Sequence, residues 1–236
     1  MLARARPARS KREPAVFRTR VWAAAAFPLA LVSGIEIINQ NIDILLLGVL
    51  RNVEEVGLYR VVVQVSIFVT FGLSVVDMVM APEFARLSGT GKFKELERVA
   101  RLSAAATLAL AAPVVVIFVL FGEELLSLAF GSSYGAGSAA LAILALGQLV
   151  NALTGSVGLL LNMSGNERDT LRAGAAAVLV NVAMNLVLIP PFGLVGAAIA
   201  TSLSLALWNV ILWRYVRLRL GISVFPAFGR RIISKT

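Results

Sequence analysis

The sequence predicts an all-α membrane protein whose six transmembrane helices form one bundle. Of its 236 residues, 58% are hydrophobic and 15% are charged, whereas soluble domains average about 45–50% apolar and about 25% charged residues. The apolar residues lie in blocks of about 20, the length that crosses a bilayer as a helix. Basic residues are concentrated in every second loop between these blocks. Hydropathy and charge therefore indicate the same fold class.

The apolar blocks set the bounds of the six helices. The first exceeds the hydrocarbon thickness of about 30 Å, so it should tilt, kink at Pro28 or begin in the interface. The second ends at Pro82, and a short interfacial helix is expected within residues 123–138. The predicted helices span about 22–50, 57–82, 100–121, 138–163, 171–189 and 194–216.

The loop charges predict the orientation of the bundle. Of 22 Lys and Arg residues, 20 lie before the first helix, in alternate loops or in the tail. Cytoplasmic loops of membrane proteins carry this excess of positive charge. We therefore expect two basic cytoplasmic segments, 1–20 and 222–236, on either side of a membrane bundle at 21–221. Segment 1–20 also has the composition of a signal or transit peptide, but the apolar run that follows is too long for a cleaved signal.

The composition excludes several function classes. The chain has no Cys and no His, which removes thiol chemistry, Cys/His zinc sites and His-based acid–base catalysis. No Gly-rich phosphate loop with a Lys and no metal-binding cluster is present. The net charge of +9 is distributed between apolar blocks, which indicates a bilayer and not a nucleic acid as its partner. We expect neither an enzyme nor a resident metal or cofactor.

A polar stripe crosses the first predicted helix. Glu36, Asn39, Gln40 and Asp43 are spaced i, i+3, i+4, i+7 and fall within about 100° of arc. Each charged side chain at mid-membrane costs about 2.5–3.5 kcal/mol on insertion scales, so the stripe should face protein or water. It can line a cavity that binds substrate or a coupling ion. It can also form a polar seam that holds the bundle together.

The second predicted helix carries three further polar residues. Arg60 lies near the same surface as Asp43, so an Arg60–Asp43 pair is within reach of the two side chains. The alternative is that Arg60 extends to the interface. Gln64 lies one turn further on. Asp77 lies near the opposite end, as a functional acid or as a capping or interfacial one.

Amides mark the fourth and fifth predicted helices. Gln148 and Asn151 share a face of the fourth, and Asn181 and Asn185 are spaced i, i+4 on the fifth. Amides suit sugar hydroxyls and equally suit hydrogen bonds between helices, and both interpretations stay open. On the sixth helix, the small residues of 196–204 predict close helix packing.

Four stretches resemble one known family. The resemblance covers about residues 20–221 and is to the second half of bacterial polysaccharide flippases, which translocate lipid-linked oligosaccharides for O-antigen, capsule and exopolysaccharide synthesis. These belong to the superfamily of multidrug-and-toxin extruders and lipid II flippases. The stretches are NIDILLLGVLRNVEEVGLYRVV (41–62), MAPEFARLSGTGKFKELERVAR (80–101), GQLVNALTGSVGLLLNMSGNERDTLR (147–172) and IPPFGLVGAAIATSLSLALWN (189–209).

The resemblance implies a fold and a mechanism. Family members have two bundles of six helices around a central cavity and work by alternating access. This chain matches the C-terminal bundle, and 1–20 resembles the linker between bundles. The second bundle would be supplied by another chain or another copy, or be missing through truncation. The implied cargo is an undecaprenyl-linked oligosaccharide, and the implied location is the bacterial inner membrane.

The resemblance also suggests roles for charged residues. Glu36 and Asp43 suit a proton or Na⁺ as coupling ion better than an anionic pyrophosphate, for which Arg60 is the basic residue within a span. Two other functions remain open. One is a cation or drug antiporter of the extruder branch, and the other is a non-transporting subunit that scaffolds a membrane complex.

Overall fold

A computed structural model describes residues 41–224, so 1–40 and 225–236 lie outside the described part. Residues 41–224 form helices and no strand, and four of the helices are long and apolar enough to cross a membrane. These findings confirm the predicted all-α membrane class. The elements are α1 (Asn41–Leu50), α2 (Val53–Gly89), α3 (Phe93–Phe130), a 3₁₀ helix (Ser132–Gly137), α4 (Ser138–Thr154), α5 (Val157–Met163) and α6 (Glu167–Leu220).

Helix α6 is a hairpin of two antiparallel halves, 167–192 and 194–220. Its 54 residues would measure about 81 Å if straight, far more than the ~30 Å hydrocarbon thickness. The chain reverses after Pro190 and Pro191, at Gly193, whose φ of 55° and ψ of −133° are not helical. These halves correspond to the fifth and sixth predicted helices, each extended by several residues.

The turn in α6 is held by the first turn of α2. The Leu194 N–H donates to Glu55 Oε2 at 3.0 Å, which caps the first turn of the second half of α6. Arg51 Nε lies 3.3 Å from Glu55 Oε1. A Cβ at Gly193 would lie 2.1 Å from Glu55 Oε2. Glycine is therefore required at 193 both by its positive φ and by the space that Glu55 occupies.

The fourth predicted helix, 138–163, is divided in the structure into α4 and α5. Helix α4 ends at Gly155, which has φ +63° and packs so closely on α3 that a Cβ would lie 2.9 Å from Ala104 Cα. The Thr154 hydroxyl donates to Asn209 Oδ1 at 2.8 Å, so the chain before the break is tied to α6. The non-helical φ of 63° and ψ of −153° at Gly155 end the helix there.

Two apolar clusters form the core. The first packs α2, α3 and α4 with the turn region of α6, around Tyr59, Val62 and Leu141. The second packs the other ends of α2 and α3 with α5 and both halves of α6, around Phe84 and Leu161. The α4–α5 break lies at the boundary, since α4 contributes to the first cluster and α5 to the second.

A salt bridge joins the two ends of the α6 hairpin. Asp169, in the first turn, is 3% exposed. Its Oδ2 lies 2.7 Å from Arg219 Nε at the other end of α6, and its Oδ1 lies 3.3 Å from Arg172 Nη1. This contact fixes the register of one half of α6 against the other.

Candidate functional site

Asp43 on α1 accepts hydrogen bonds from three other segments of the bundle. Asn185 Nδ2, on the first half of α6, donates to Oδ1 at 2.7 Å. The Tyr59 hydroxyl of α2 donates to Oδ2 at 3.3 Å. The Thr201 hydroxyl, on the second half of α6, donates to the same oxygen. One carboxylate thus joins α1, α2 and both halves of α6.

The hydrogen bonds continue into the α6 hairpin. Asn185 Nδ2 also donates to Asn181 Oδ1 at 3.0 Å, and Asn181 Nδ2 donates to Ser204 Oγ at 3.1 Å. Asn185 is fully buried, and Asn181 and Ser204 are nearly so. Asp43, Tyr59, Asn181, Asn185, Thr201 and Ser204 are called the Asp43 network below.

The Asp43 network presents oxygen atoms without a balancing positive charge. Asn185 Oδ1 is buried and has no hydrogen-bond partner among the described residues. Within residues 41–224, no Lys or Arg forms a salt bridge with Asp43. A buried carboxylate is costly unless a cation, a proton or several donors stabilise it. This arrangement can hold a small monovalent cation or a proton.

The structure brings together only part of the predicted site. Glu36, Asn39 and Gln40 lie outside the described residues. Asp43 meets the two amides that the sequence placed on its fifth helix, Asn181 and Asn185.

The predicted pair between Arg60 and Asp43 does not form in the structure. Tyr59 is the α2 residue that faces Asp43, and successive residues on a helix point about 100° apart, so Arg60 is turned away. Arg60 and Gln64 are both exposed.

The remaining predicted residues lie away from the network. Asn151 Nδ2 and Gln148 Oε1, both on α4, are 3.4 Å apart, and neither side chain bonds to Asp43. Asp77 is half-buried on α2, 18 residues beyond Tyr59. At 1.5 Å per residue this separates it from the network by about 27 Å along the helix.

Tyr59, Thr201 and Ser204 are not among the site residues that the sequence predicts. Thr201 and Ser204 lie in the small-residue segment 196–204, for which packing was predicted. Packing does occur there, because the Ser202 hydroxyl donates to the Ile143 carbonyl at 2.9 Å. The available signal was the i, i+3 spacing of Thr201 and Ser204, which puts two hydroxyls on one face.

Two relatives come from the archaeon Haloferax volcanii. A probable low-salt glycan biosynthesis flippase, Agl15, is 26% identical over 174 residues, which cover 74% of this chain and 37% of that protein. A probable flippase, AglR, is 30% identical over 173 residues, or 72% of this chain and 36% of that protein. The chain therefore spans little more than a third of the length of either one.

A third relative and a family model agree with these two. The capsular polysaccharide biosynthesis protein CapF of Staphylococcus aureus is 24% identical over 177 residues, which cover 75% of this chain and 45% of that protein. The model of the lipid II flippase MurJ matches residues 6–234, nearly the whole chain. A multi-pass helical bundle with a buried polar network accords with a transporter. The chain belongs to the MurJ family of lipid-linked glycan flippases.

Proposed function

We propose that this chain is one lobe of a flippase that moves an undecaprenyl-linked oligosaccharide across the bacterial cytoplasmic membrane for cell-surface polysaccharide synthesis. Family membership and the names of three relatives support the cargo class. The observation that carries the mechanism is the Asp43 network. A single buried carboxylate joins four segments, so a change in its charge acts on all of them at once.

A second six-helix bundle completes the transporter in this proposal. The two Haloferax relatives are more than twice as long as the matched region. Arg60 and Gln64 are polar and exposed on a helix that otherwise presents large apolar side chains. Such residues are expensive against lipid and suit the wall of a cavity between two bundles. Both termini of the lobe lie in the cytoplasm, as the loop charges predict.

Asp43 takes up the coupling ion, a proton or Na⁺. Either one neutralises the carboxylate and favours the contacts that draw α1 and α2 towards α6. Release leaves a buried charge with only neutral donors, which favours separation of these segments. Ion binding thus changes the relative stability of two arrangements of the lobe, which alternating access requires. Arg60 contacts the phosphate of the cargo.

The test replaces Asp43 by Asn at the gene's own locus in the native host. The substitution keeps the size of the side chain and removes its titration. We expect surface polysaccharide to fall by about tenfold or more, which corresponds to about 1.4 kcal/mol of activation free energy. The lipid-linked oligosaccharide should accumulate. The matched control is Glu124→Gln, which alters an exposed acid of α3 and should leave both quantities unchanged.

Two outcomes would contradict the proposal. Normal export in a Glu36→Gln, Asp43→Asn double variant would indicate a scaffold that does not transport. If deletion of the gene lowers resistance to toxic cations and leaves polysaccharide export unchanged, the protein would be an antiporter.

A further inference from the structure

A cavity of about 440 Å³ opens between the two ends of the α6 hairpin. Its volume is within the range of ligand-binding pockets, about 300–1,000 Å³. Three arginines line it, and they are Arg168 and Arg172 near the start of α6 and Arg219 in its last turn. The acids of the lining are Glu167 and Asp169. Positive side chains are therefore in excess, and all three arginines are exposed.

Asp169 holds two of these arginines without using all of their donors. Its Oδ2 accepts a hydrogen bond from Arg219 Nε at 2.7 Å. Its Oδ1 lies 3.3 Å from Arg219 Nη2 and 3.3 Å from Arg172 Nη1. A guanidinium has five N–H donors, and the side chains of Arg172 and Arg219 are 68% and 51% exposed. Asp169 thus positions both guanidiniums and leaves N–H groups for a further anion.

Arg168 has no acidic partner in the described part of the chain, since it forms no salt bridge within residues 41–224. The amino end of α6 adds a partial positive charge beside it, because Asn166 provides no side-chain cap there. Arginine binds phosphate through parallel hydrogen bonds from its planar fork. The chemistry of the cavity therefore fits a phosphate group that more than one arginine contacts.

Trp213 puts the cavity close to the lipid headgroups. It precedes Arg219 by six residues on the same helix, which is about 9 Å along the axis. Tryptophan is enriched at the boundary between hydrocarbon and headgroups, and each headgroup layer is about 5–8 Å thick. The loop charges predict that this end of α6 faces the cytoplasm, where anionic lipids attract basic residues.

We propose that this cavity binds the phosphate group of an anionic phospholipid. Arg168 and Arg172 contact the phosphate oxygens, and Asp169 positions Arg172 beside Arg219. A bound headgroup links the start of α6 to its end, because the arginines come from both ends of the hairpin. The proposal does not rest on the function proposed above, since lipid binding is measured without cargo and without transport.

The test measures thermal unfolding of the full chain in a neutral detergent against the concentration of added phosphatidylglycerol, at constant ionic strength. A ligand that binds the folded state raises the melting temperature with its concentration. Zwitterionic phosphatidylcholine and inorganic phosphate are the two comparison ligands. We expect the half-effective concentration of phosphatidylglycerol to be lower than that of phosphatidylcholine by about tenfold or more. Inorganic phosphate, which lacks the acyl chains, should give no rise over the same concentrations.

Arg168→Gln and Arg172→Gln each remove one positive charge from the cavity. Each should raise the half-effective concentration of phosphatidylglycerol by about tenfold, because a charge-assisted hydrogen bond to the phosphate is lost. Glu167→Gln removes an acid that repels the phosphate and should lower that concentration. The matched control is Arg98→Gln, which removes an exposed arginine of α3 outside the cavity and should leave it unchanged.

Four results would overturn the proposal. These are no response to phosphatidylglycerol in the wild type, equal responses to the two lipids, and a response to inorganic phosphate without one to phosphatidylglycerol. The fourth is an equal effect of Arg98→Gln and Arg168→Gln, because the attraction would then come from the total charge and not from the cavity. If one of the two cavity variants does not fold, the other decides by the same comparison with Arg98→Gln.

Discussion

Asn185 connects the carboxylate of the Asp43 network to the rest of the α6 hairpin. Its amide nitrogen donates to both Asp43 and Asn181, and the residue has no exposed surface. A carboxylate that loses one of its three donors keeps its desolvation cost without that compensating bond. The stability of the lobe should therefore depend on this one amide more than on any polar residue at its surface.

Replacing Asn185 by Leu tests this dependence. The side chain keeps the number and branching of its heavy atoms but can no longer donate to Asp43. We expect the free energy of unfolding to fall by about 1–3 kcal/mol, measured as the melting temperature in detergent. Asn162→Leu is the control, because Asn162 is exposed on α5 and should change the melting temperature little. Equal melting temperatures for Asn185→Leu and wild type would show that the bond contributes nothing.

The residues of the Asp43 network could be predicted only in part. Asp43, Asn181 and Asn185 are recognisable because acids and amides are rare and expensive in membrane helices. Thr201 is not, since a threonine hydroxyl can bond to a carbonyl of its own helix and so carries little signal. Tyr59 is not either, since tyrosine is common near the ends of membrane helices as an interfacial anchor. The error at Arg60 has a different cause. Side-chain length gave the reach of Arg60, but the rotation of α2 about its axis is set by packing around Tyr59.

At the scale of elements, the contact between the first turn of α2 and the α6 turn brings two distant segments together. Glu55 of α2 forms a salt bridge with Arg51, which precedes α2, and accepts a hydrogen bond from the Leu194 N–H across the bundle. A cap of this kind stabilises the start of a helix through its unpaired N–H groups. The position of the second half of α6, which carries Thr201, thus depends on Glu55 and on the absence of a side chain at 193.

Gly193→Ala should destabilise the chain through both its φ and its contact with Glu55. The added Cβ would lie 2.1 Å from Glu55 Oε2 at a φ of 55°, so we expect a loss of about 1–3 kcal/mol in the free energy of unfolding. Gly89→Ala is the control, because a Cβ there meets nothing within 4 Å. Chemical denaturation in mild detergent measures both.

A double variant separates the two causes at Gly193. Adding Glu55→Ala removes the steric contact but leaves the unfavourable φ. The double variant should therefore lose less than the sum of the two single losses. Strict additivity of the two losses would contradict the contact between Glu55 and residue 193.

Hydropathy predicts which segments form helices, but it does not predict where each helix ends or breaks. The Pro-Pro-Phe-Gly sequence before Leu194 marks a turn in any reading. The break at Gly155 has no such signal, because a glycine in an apolar helix also occurs where helices pack closely without a break. The sequence therefore does not show that Gly155 leaves the helical conformation.

At the scale of the whole molecule, the exposed side chains of α2 include both large apolar residues and polar ones. Large apolar side chains such as Phe68, Phe71 and Met78 are exposed on α2, as expected of a helix that faces lipid or another bundle. Arg60 is exposed on the same helix, and no described acid forms a salt bridge with it. A residue in this environment can contact cargo or a second bundle without contributing to the stability of the lobe.

Arg60→Glu should therefore separate function from stability. We expect surface polysaccharide in the native host to fall strongly, because the substitution reverses the charge that is proposed to contact the cargo phosphate. The melting temperature should stay near that of wild type, since the side chain has no buried contact to lose. Arg98→Glu makes the same reversal at an exposed site of α3 and should export normally. Equal export by the two variants would exclude a cargo contact for Arg60.

The α6 hairpin constrains how the chain enters the membrane during synthesis. The first half of α6 carries Asn181 and Asn185, whose partners are Ser204 on the second half of α6 and Asp43 on α1. Asp169 likewise meets Arg219 only after the last turn of α6 has been made. Either half alone would present unpaired amides or charges to lipid, at a cost that pairing removes. We therefore expect the two halves of α6 to insert into the membrane together, and only after Arg219 has been synthesised.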